Sequence, residues 1–448
     1  MTVIEQALAK ATDTKALILE VGAMDKTAQM FSSLFPGKKA VVVADFNTYP
    51  AAGKYVSQVL EKAGLKGAED FVFTDPDVDA EWNYVMQVKD YMQDKEDCCI
   101  VAVGSGVMNE CSKYASYLLG RRYMCVGTAV SMDGYTAYGA TISKDGNKNT
   151  FLCNAPMGLI LDPQVSAVAP KNLVASGYAD LQAKMPAGAD WIIADALGIE
   201  PINPDIWYLV QSKLRASLSD PKGARSGDVQ CTAALAEGLI MSGFAMQAMQ
   251  TSRPASGAEH QFSHFWEMEH LAFNGKLVSH GFKVGIGTLA STAALEFLIG
   301  YDMSKIDVEA CVAAWPASWD DMAAILQKEF ATRPVHLTRA LKEVKDKFVT
   351  REELREELTR FIACWSTVRE KVRGQIFSFQ EVRSNLQEVG APYEPEMIGI
   401  TRERFRETLR LIPFMRSRYS NFDIIYRLGL IPALEEHLFG KGGVWEIK

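Results

Sequence analysis

The first third of the chain alternates short Val-, Ile- and Ala-rich runs with amphipathic stretches, and this alternation restricts the fold more than any other feature. Ala16–Val21, Ala40–Ala44, Phe71–Phe73, Cys98–Val103 and Met124–Val126 are apolar enough to be buried on both faces. Between them, Thr48–Ala63 and Glu81–Gln93 carry apolar residues at helical spacing. Buried strands separated by helices build a parallel sheet covered on both sides. Tyr138–Asn154 is expected to form a hairpin turning at Asp145-Gly146-Asn147. After Asp162-Pro163 strands fade and helical periods run nearly to the end. The expected organisation of the 448 residues is an α/β domain over residues 1–162 and an all-helical domain over residues 163–448.

Composition removes several classes of function. A net charge of −8 gives no basis for a nucleic-acid partner. No apolar run reaches the roughly 18–20 residues of a membrane span, and Met1–Lys10 holds no signal-peptide core. None of the eight cysteines forms a CxxC pair, so free thiols in a reducing, cytoplasmic setting are expected. Arg402, Arg404, Arg406, Arg410, Arg416 and Arg418 suggest an anion-binding strip, but the interspersed Glu403 and Glu407 favour a solvated helix face.

Three segments near expected strand ends carry candidate chemistry. The run Gly104-Ser105-Gly106-Val107-Met108 joins a strand to a helix, where backbone N–H groups can approach a phosphate. It lacks the third glycine of GxGxxG, and a tight structural turn is the alternative. Asp45 closes the second strand, placed either to bond ribose hydroxyls or to cap the next helix; Asn47 and Thr48 could cap equally well. Thr128-Ala129-Val130-Ser131-Met132-Asp133 follows the strand at Met124, at the end where open α/β sheets bind ligands.

His260, His264 and His280 are half of the chain's six histidines. His260 and His264 share a helix face, and His280 is far enough along to return on a second helix. Any one alone would fit as a core or capping histidine. Together they suggest half of a metal site, which a carboxylate would complete. Asp180 is one acid among many, and nothing local marks it as a ligand.

These residues, with Ser252-Arg253-Pro254-Ala255-Ser256-Gly257-Ala258-Glu259-His260, Ser279-His280-Gly281 and Met415-Arg416-Ser417-Arg418-Tyr419, resemble the sn-glycerol-1-phosphate dehydrogenases. That family is a branch of the iron-type alcohol dehydrogenase and dehydroquinate synthase fold group. The resemblance implies a Rossmann-like dinucleotide-binding domain followed by an all-α domain, as in dehydroquinate synthase. It implies a homodimer that reduces dihydroxyacetone phosphate with NAD(H), or alternatively NADP(H), and serves phospholipid metabolism. Asp180, His260 and His280 would hold one divalent ion, with zinc, nickel and ferrous iron all compatible with such ligands. Asp45, Gly104, Ser105, Gly106, Val107, Met108, Thr128 and Ser131 would surround the dinucleotide. Asp133, Asp180 and His264 would contact the substrate, a small phosphorylated ketone or alcohol, with Asp180 and His264 catalytic. The chain departs from the family pattern at Glu110, where Asp is usual, and at Ala137, where Ser often stands. The same fold could instead act on glycerol, another polyol or a phosphonate-bearing aldehyde, or bind a dinucleotide without catalysis; the three candidate ligands argue against that last reading.

Overall fold

The computed structural model describes residues 3–144 and 147–448. It divides into two compact units. The first runs through Leu181 and adds Asp205–Ser252 and Glu388–Gly390; the second comprises Gln182–Pro204, Arg253–Gln387 and Ala391–Lys448.

A parallel six-stranded sheet is the centre of the first unit. Its strands are β1 (Ala16–Leu19), β2 (Lys39–Asp45), β3 (Phe71–Phe73), β4 (Cys98–Gly104), β5 (Met124–Gly127) and, after a hairpin of β6 (Ala140–Lys144) and β7 (Asn147–Phe151), β8 (Gly158–Leu161). Their order across the sheet is β1-β8-β5-β4-β2-β3. Every residue of β4, β5 and β8 is buried, as expected for strands covered on both faces. Val101, Val103, Val126 and Ile160 pack with Phe31, Val56 and Leu60 into one apolar core. From β2 the chain passes outward to β3, then returns to place β4 on the other side of β2. The C-terminal ends of β2 and β4 therefore flank the switch in strand order, the position where open sheets leave a crevice.

Five of these six strands coincide with the expected apolar runs, although β1 stops at Leu19 and leaves Val21 exposed. The sixth, β8, has only four residues and directly precedes Asp162-Pro163, so its apolar run merges with the turn that follows. The hairpin strands pair antiparallel from Ala140 opposite Phe151 to Lys144 opposite Asn147. Asp145 and Gly146 of the expected turn lie outside the described residues. The expected helix Thr48–Ala63 begins with a π-helical turn, Tyr49–Gly53, and becomes α-helical over Lys54–Lys62.

Helices dominate from Pro163 onward in both units. One exception in the second is a two-residue hairpin, Ala272–Phe273 against Lys276–Leu277. Asn274 and Gly275 turn it with φ of 51° and 77°, the left-handed pair that a two-residue hairpin loop requires. Val229–Met249 and His280–Gly300 are long and apolar enough to cross a membrane by length and composition, contrary to the reading of the apolar runs. Their most apolar windows are 61% and 78% buried within the protein, as in core helices of a folded domain.

Candidate functional site

In the first unit, the candidate residues gather at the C-terminal ends of three neighbouring strands. Asp45 ends β2, Gly104 ends β4, and Thr128 follows β5, donating its backbone N–H to the Gly104 carbonyl at 3.0 Å. Asp45 Oδ1 accepts the backbone N–H groups of Asn47 (2.8 Å) and Thr48 (2.7 Å), closing a turn ahead of the helix without capping it. Thr48 is the N-cap residue but caps nothing through its side chain; its hydroxyl accepts the Asp45 N–H at 3.1 Å. Ser105 precedes the Gly106–Leu118 helix without capping it through its side chain. The two glycines make room for methionines. A Cβ at Gly104 would stand 2.5 Å from Met108 Cγ, and one at Gly106 would stand 2.8 Å from Met132 Cε.

Residues 128–133 are gripped by the helix Lys171–Gln182. A Cβ on Gly177 would lie 1.9 Å from the Val130 carbonyl oxygen, so backbone meets backbone there. Three residues further on, Asp180 is fully buried, and its Oδ2 accepts the Asp133 N–H at 3.1 Å. The Asp133 carboxylate in turn accepts the Ser242 hydroxyl at 2.8 Å. Gly177 thus seats the Asp180 helix against residues 128–133, a role that only the opposing Val130 backbone reveals.

Glu110 does more than replace an aspartate. Its Oε2 reaches the Thr141 N–H on β6 at 2.6 Å, while Oε1 accepts the buried Lys113 ammonium at 3.1 Å. Lys113 also donates to the carbonyls of Gly134 (3.0 Å), Ala137 (3.2 Å) and Gly139 (3.0 Å). One buried cation therefore pins the segment after Asp133 to the helix after the glycine turn. Lys113→Met is expected to cost about 3–5 kcal/mol, because it strands a buried carboxylate and three carbonyls. The midpoint of urea unfolding measures this, and a midpoint within error of wild type would refute it.

The histidines lie in the second unit. His260 and His264 occupy the helix Ala258–Met268, and His280 opens the helix His280–Gly300 behind Ser279, whose hydroxyl accepts the Phe282 N–H. The ring centroids of His260 and His280 are 5.5 Å apart; His264 lies 6.4 Å and 6.3 Å from them. His260 Nδ1 is 2.8 Å from Glu259 Oε1, and His280 Nδ1 is 2.9 Å from Glu267 Oε1. A carboxylate at Nδ1 makes that nitrogen the N–H donor and turns Nε2 toward a ligand role, the usual support of a metal-bound imidazole. His264 Nδ1 is 3.2 Å from Glu267 Oε2. Removal from water pushes the His264 pKa down to about 3, with Glu267 opposing and Arg339 and Arg416 reinforcing the shift, so the ring is neutral at pH 7. His270, also in this stretch, is exposed and sits at a φ of 51° beside the small hairpin.

The arginine strip divides. Arg402, Arg404, Arg406 and Arg410 stand on the helix Arg402–Leu411 and pair with Glu396, Glu269 and Glu435, as a charged helix face should. Arg416 and Arg418 do not belong to that face, which corrects the expectation for them. Arg416 Nη1 donates to the Ser256 hydroxyl (3.1 Å) and Arg418 Nη1 to the Ser256 carbonyl (2.8 Å). Arg253 is fully buried and bonds the carbonyls of Tyr419 (2.8 Å) and Asp190 (3.0 Å), an anchoring role.

Among the described residues, Asp180, His260 and His280 could hold a metal ion, each offering one ligand atom. One carboxylate and two imidazoles suit a borderline divalent cation, and the Nδ1–carboxylate contacts fit that use.

Residues 18–170 match the family model of the iron-containing alcohol dehydrogenases. A glycerol-1-phosphate dehydrogenase (NAD(P)+) from Halalkalibacterium halodurans is 35% identical over 259 residues, covering 56% of this chain. That match spans only 63% of the relative's own length. The enzyme of the same name from Geobacillus stearothermophilus is 28% identical over 400 residues, 89% of this chain and 88% of that one. Of solved structures, a probable glycerol dehydrogenase from Sinorhizobium meliloti 1021 superposes with a TM-score of 0.59 at 14% identity, over 94% of this chain and 96% of that one. Glycerol dehydrogenase from Schizosaccharomyces pombe gives 0.56 at 14% identity, over 95% and 91%. At such identities the structural likeness is one of fold.

Proposed function

For a chain whose residues 18–170 match the iron-containing alcohol dehydrogenases and which shares the fold of glycerol dehydrogenases, we propose an enzyme that reversibly reduces dihydroxyacetone phosphate to sn-glycerol 1-phosphate with NAD(P)H. The observation that carries the reading is the anchoring of His260 and His280 through Nδ1 to buried carboxylates, which prepares both imidazoles to bind a metal through Nε2. Asp180 supplies the third ligand. A divalent ion there provides Lewis acidity for interconverting a carbonyl and an alcohol, and the dinucleotide provides the hydride.

The chain's own residues do the rest. Backbone N–H groups at Gly104, Ser105, Gly106, Val107 and Met108 receive the pyrophosphate at the helix start, with Thr128 and Ser131 beside it. Asp45 uses Oδ1 to close the turn at Asn47 and Thr48 and offers Oδ2 to the ribose hydroxyls. Asp133 holds the substrate with Asp180. His264, donating through Nδ1 to Glu267, handles the proton at Nε2, the nitrogen to which the substrate hydroxyl would hydrogen-bond.

A phosphorylated substrate is favoured over a plain polyol by Arg416 and Arg418, whose guanidinium groups converge on Ser256 just ahead of the His264 helix. The deciding experiment is steady-state reduction by the metal-loaded protein, with NADH and with NADPH. Dihydroxyacetone phosphate should exceed dihydroxyacetone in kcat/KM by roughly a hundredfold or more, the equivalent of about two charge-assisted hydrogen bonds. Equal values would move the assignment to a polyol dehydrogenase. A chain that takes up no metal would be a dinucleotide-binding protein instead. His264→Ala should retain metal while kcat falls by about 10²–10⁴; loss of metal would make His264 a ligand.

A further inference from the structure

Glu267 stands three residues after His264 on the same helix, and its side chain is only 5% exposed. Its Oε1 lies 2.9 Å from His280 Nδ1, 3.2 Å from the Ser263 hydroxyl and 3.3 Å from Lys283 Nζ. Its Oε2 lies 3.2 Å from His264 Nδ1. We propose that Glu267 is a positioning residue that ties a metal ligand to the proton-handling group, one carboxylate setting the tautomer and angle of both His280 and His264. The proposal rests on the ligand role of His280 and the substrate role of His264 given above.

The geometry separates two supports that serve different purposes. His260 has a carboxylate of its own, Glu259, which also accepts the Gly257 N–H at 2.6 Å. His280 Nδ1 meets the Ser263 hydroxyl at 3.3 Å and the Glu267 carboxylate, which it shares with His264. Ionised, that carboxylate accepts an N–H from each ring, one on each oxygen, and so directs Nε2 of both away from itself. Lys283, three residues after His280 and almost as buried, pairs with the same oxygen that faces His280. A displacement of either ring is therefore felt by the other through a rigid, buried group.

Glu267→Gln tests this with little change in shape. The amide has one accepting oxygen and one donating nitrogen, so it can serve only one ring as the carboxylate does. Metal affinity, measured by competition with a chelator, should fall about 10–100-fold. With metal saturating, kcat should still fall by on the order of tenfold or more, and the d–d absorption of the cobalt-loaded protein should shift. Adding His264→Ala to Glu267→Gln should lower kcat no further than His264→Ala alone, because Glu267 acts on the proton step through that ring. The double variant's metal affinity should equal that of Glu267→Gln. Glu267→Asp, which keeps the charge but cannot span both rings, should shift metal affinity and kcat in the same directions. Wild-type protein that binds metal and turns over, with Glu267→Gln unchanged in affinity and kcat, would overturn this proposal alone. Wild-type protein that binds no metal would overturn the functional reading beneath it.

Discussion

His260→Ala or His280→Ala should leave the chain without bound metal and lower kcat/KM for dihydroxyacetone phosphate by roughly a thousandfold, an effect of ~4 kcal/mol. Each substitution removes one of the three proposed donors, and neither neighbouring carboxylate can substitute from behind the lost ring. Glu259 and Glu267 face Nδ1, the nitrogen on the far side from the ligand position. Elemental analysis of the purified variants, beside steady-state rates, checks both halves of the expectation. A variant with one metal per chain and wild-type turnover would remove that histidine from the ligand set.

Gly177→Ala should be the most damaging single methyl group in the first unit. Alanine is the better helix former by about 1 kcal/mol, so helix propensity alone forecasts a gain. Packing opposes it. The new Cβ would stand 1.9 Å from the Val130 carbonyl oxygen and 2.8 Å from its carbon, both backbone atoms that no rotamer change can move aside. Overpacking of this kind costs ~3 kcal/mol or more and decides the sign. The helix can relieve the clash only by backing away and carrying Asp180 from the Asp133 amide. A shift of about 1 Å at a reacting centre lowers the rate by about a hundredfold. Thermal unfolding and turnover should therefore fall together; unchanged stability with unchanged kcat would contradict this account.

The parallel sheet was legible because five of its strands announce themselves as apolar runs bounded by polar turns. β8 was not, since four residues beside a proline turn carry too little pattern. The Asn274-Gly275 hairpin is a strong turn signal that helical surroundings on both sides masked. Histidine spacing was informative about the second unit, where the three rings do gather. Asp180 had no spacing to betray it; what marks it is a mid-helix glycine, visible as such only once the opposing backbone is in place. Lys113 and Glu110 were opaque for a related reason. A charged residue in sequence suggests solvent, and only the fold shows three carbonyls and a carboxylate waiting for that ammonium.

The methionines that fill the space over the glycine turn bind several positions into one evolutionary unit. Met132 occupies the volume a side chain would need at Gly106 and, with its sulfur 2.9 Å from a Cβ there, at Gly134 as well; Met108 does the same at Gly104. A side chain at Gly104 would meet Cβ and Cγ of Met108, close to the backbone, whereas one at Gly106 or Gly134 would require the flexible end of Met132 to swing aside. A smaller residue at Met132 would remove the packing neighbour that a Cβ at Gly106 or Gly134 would meet first. The glycine pattern at this turn is thus tied to the two thioether side chains packed over it.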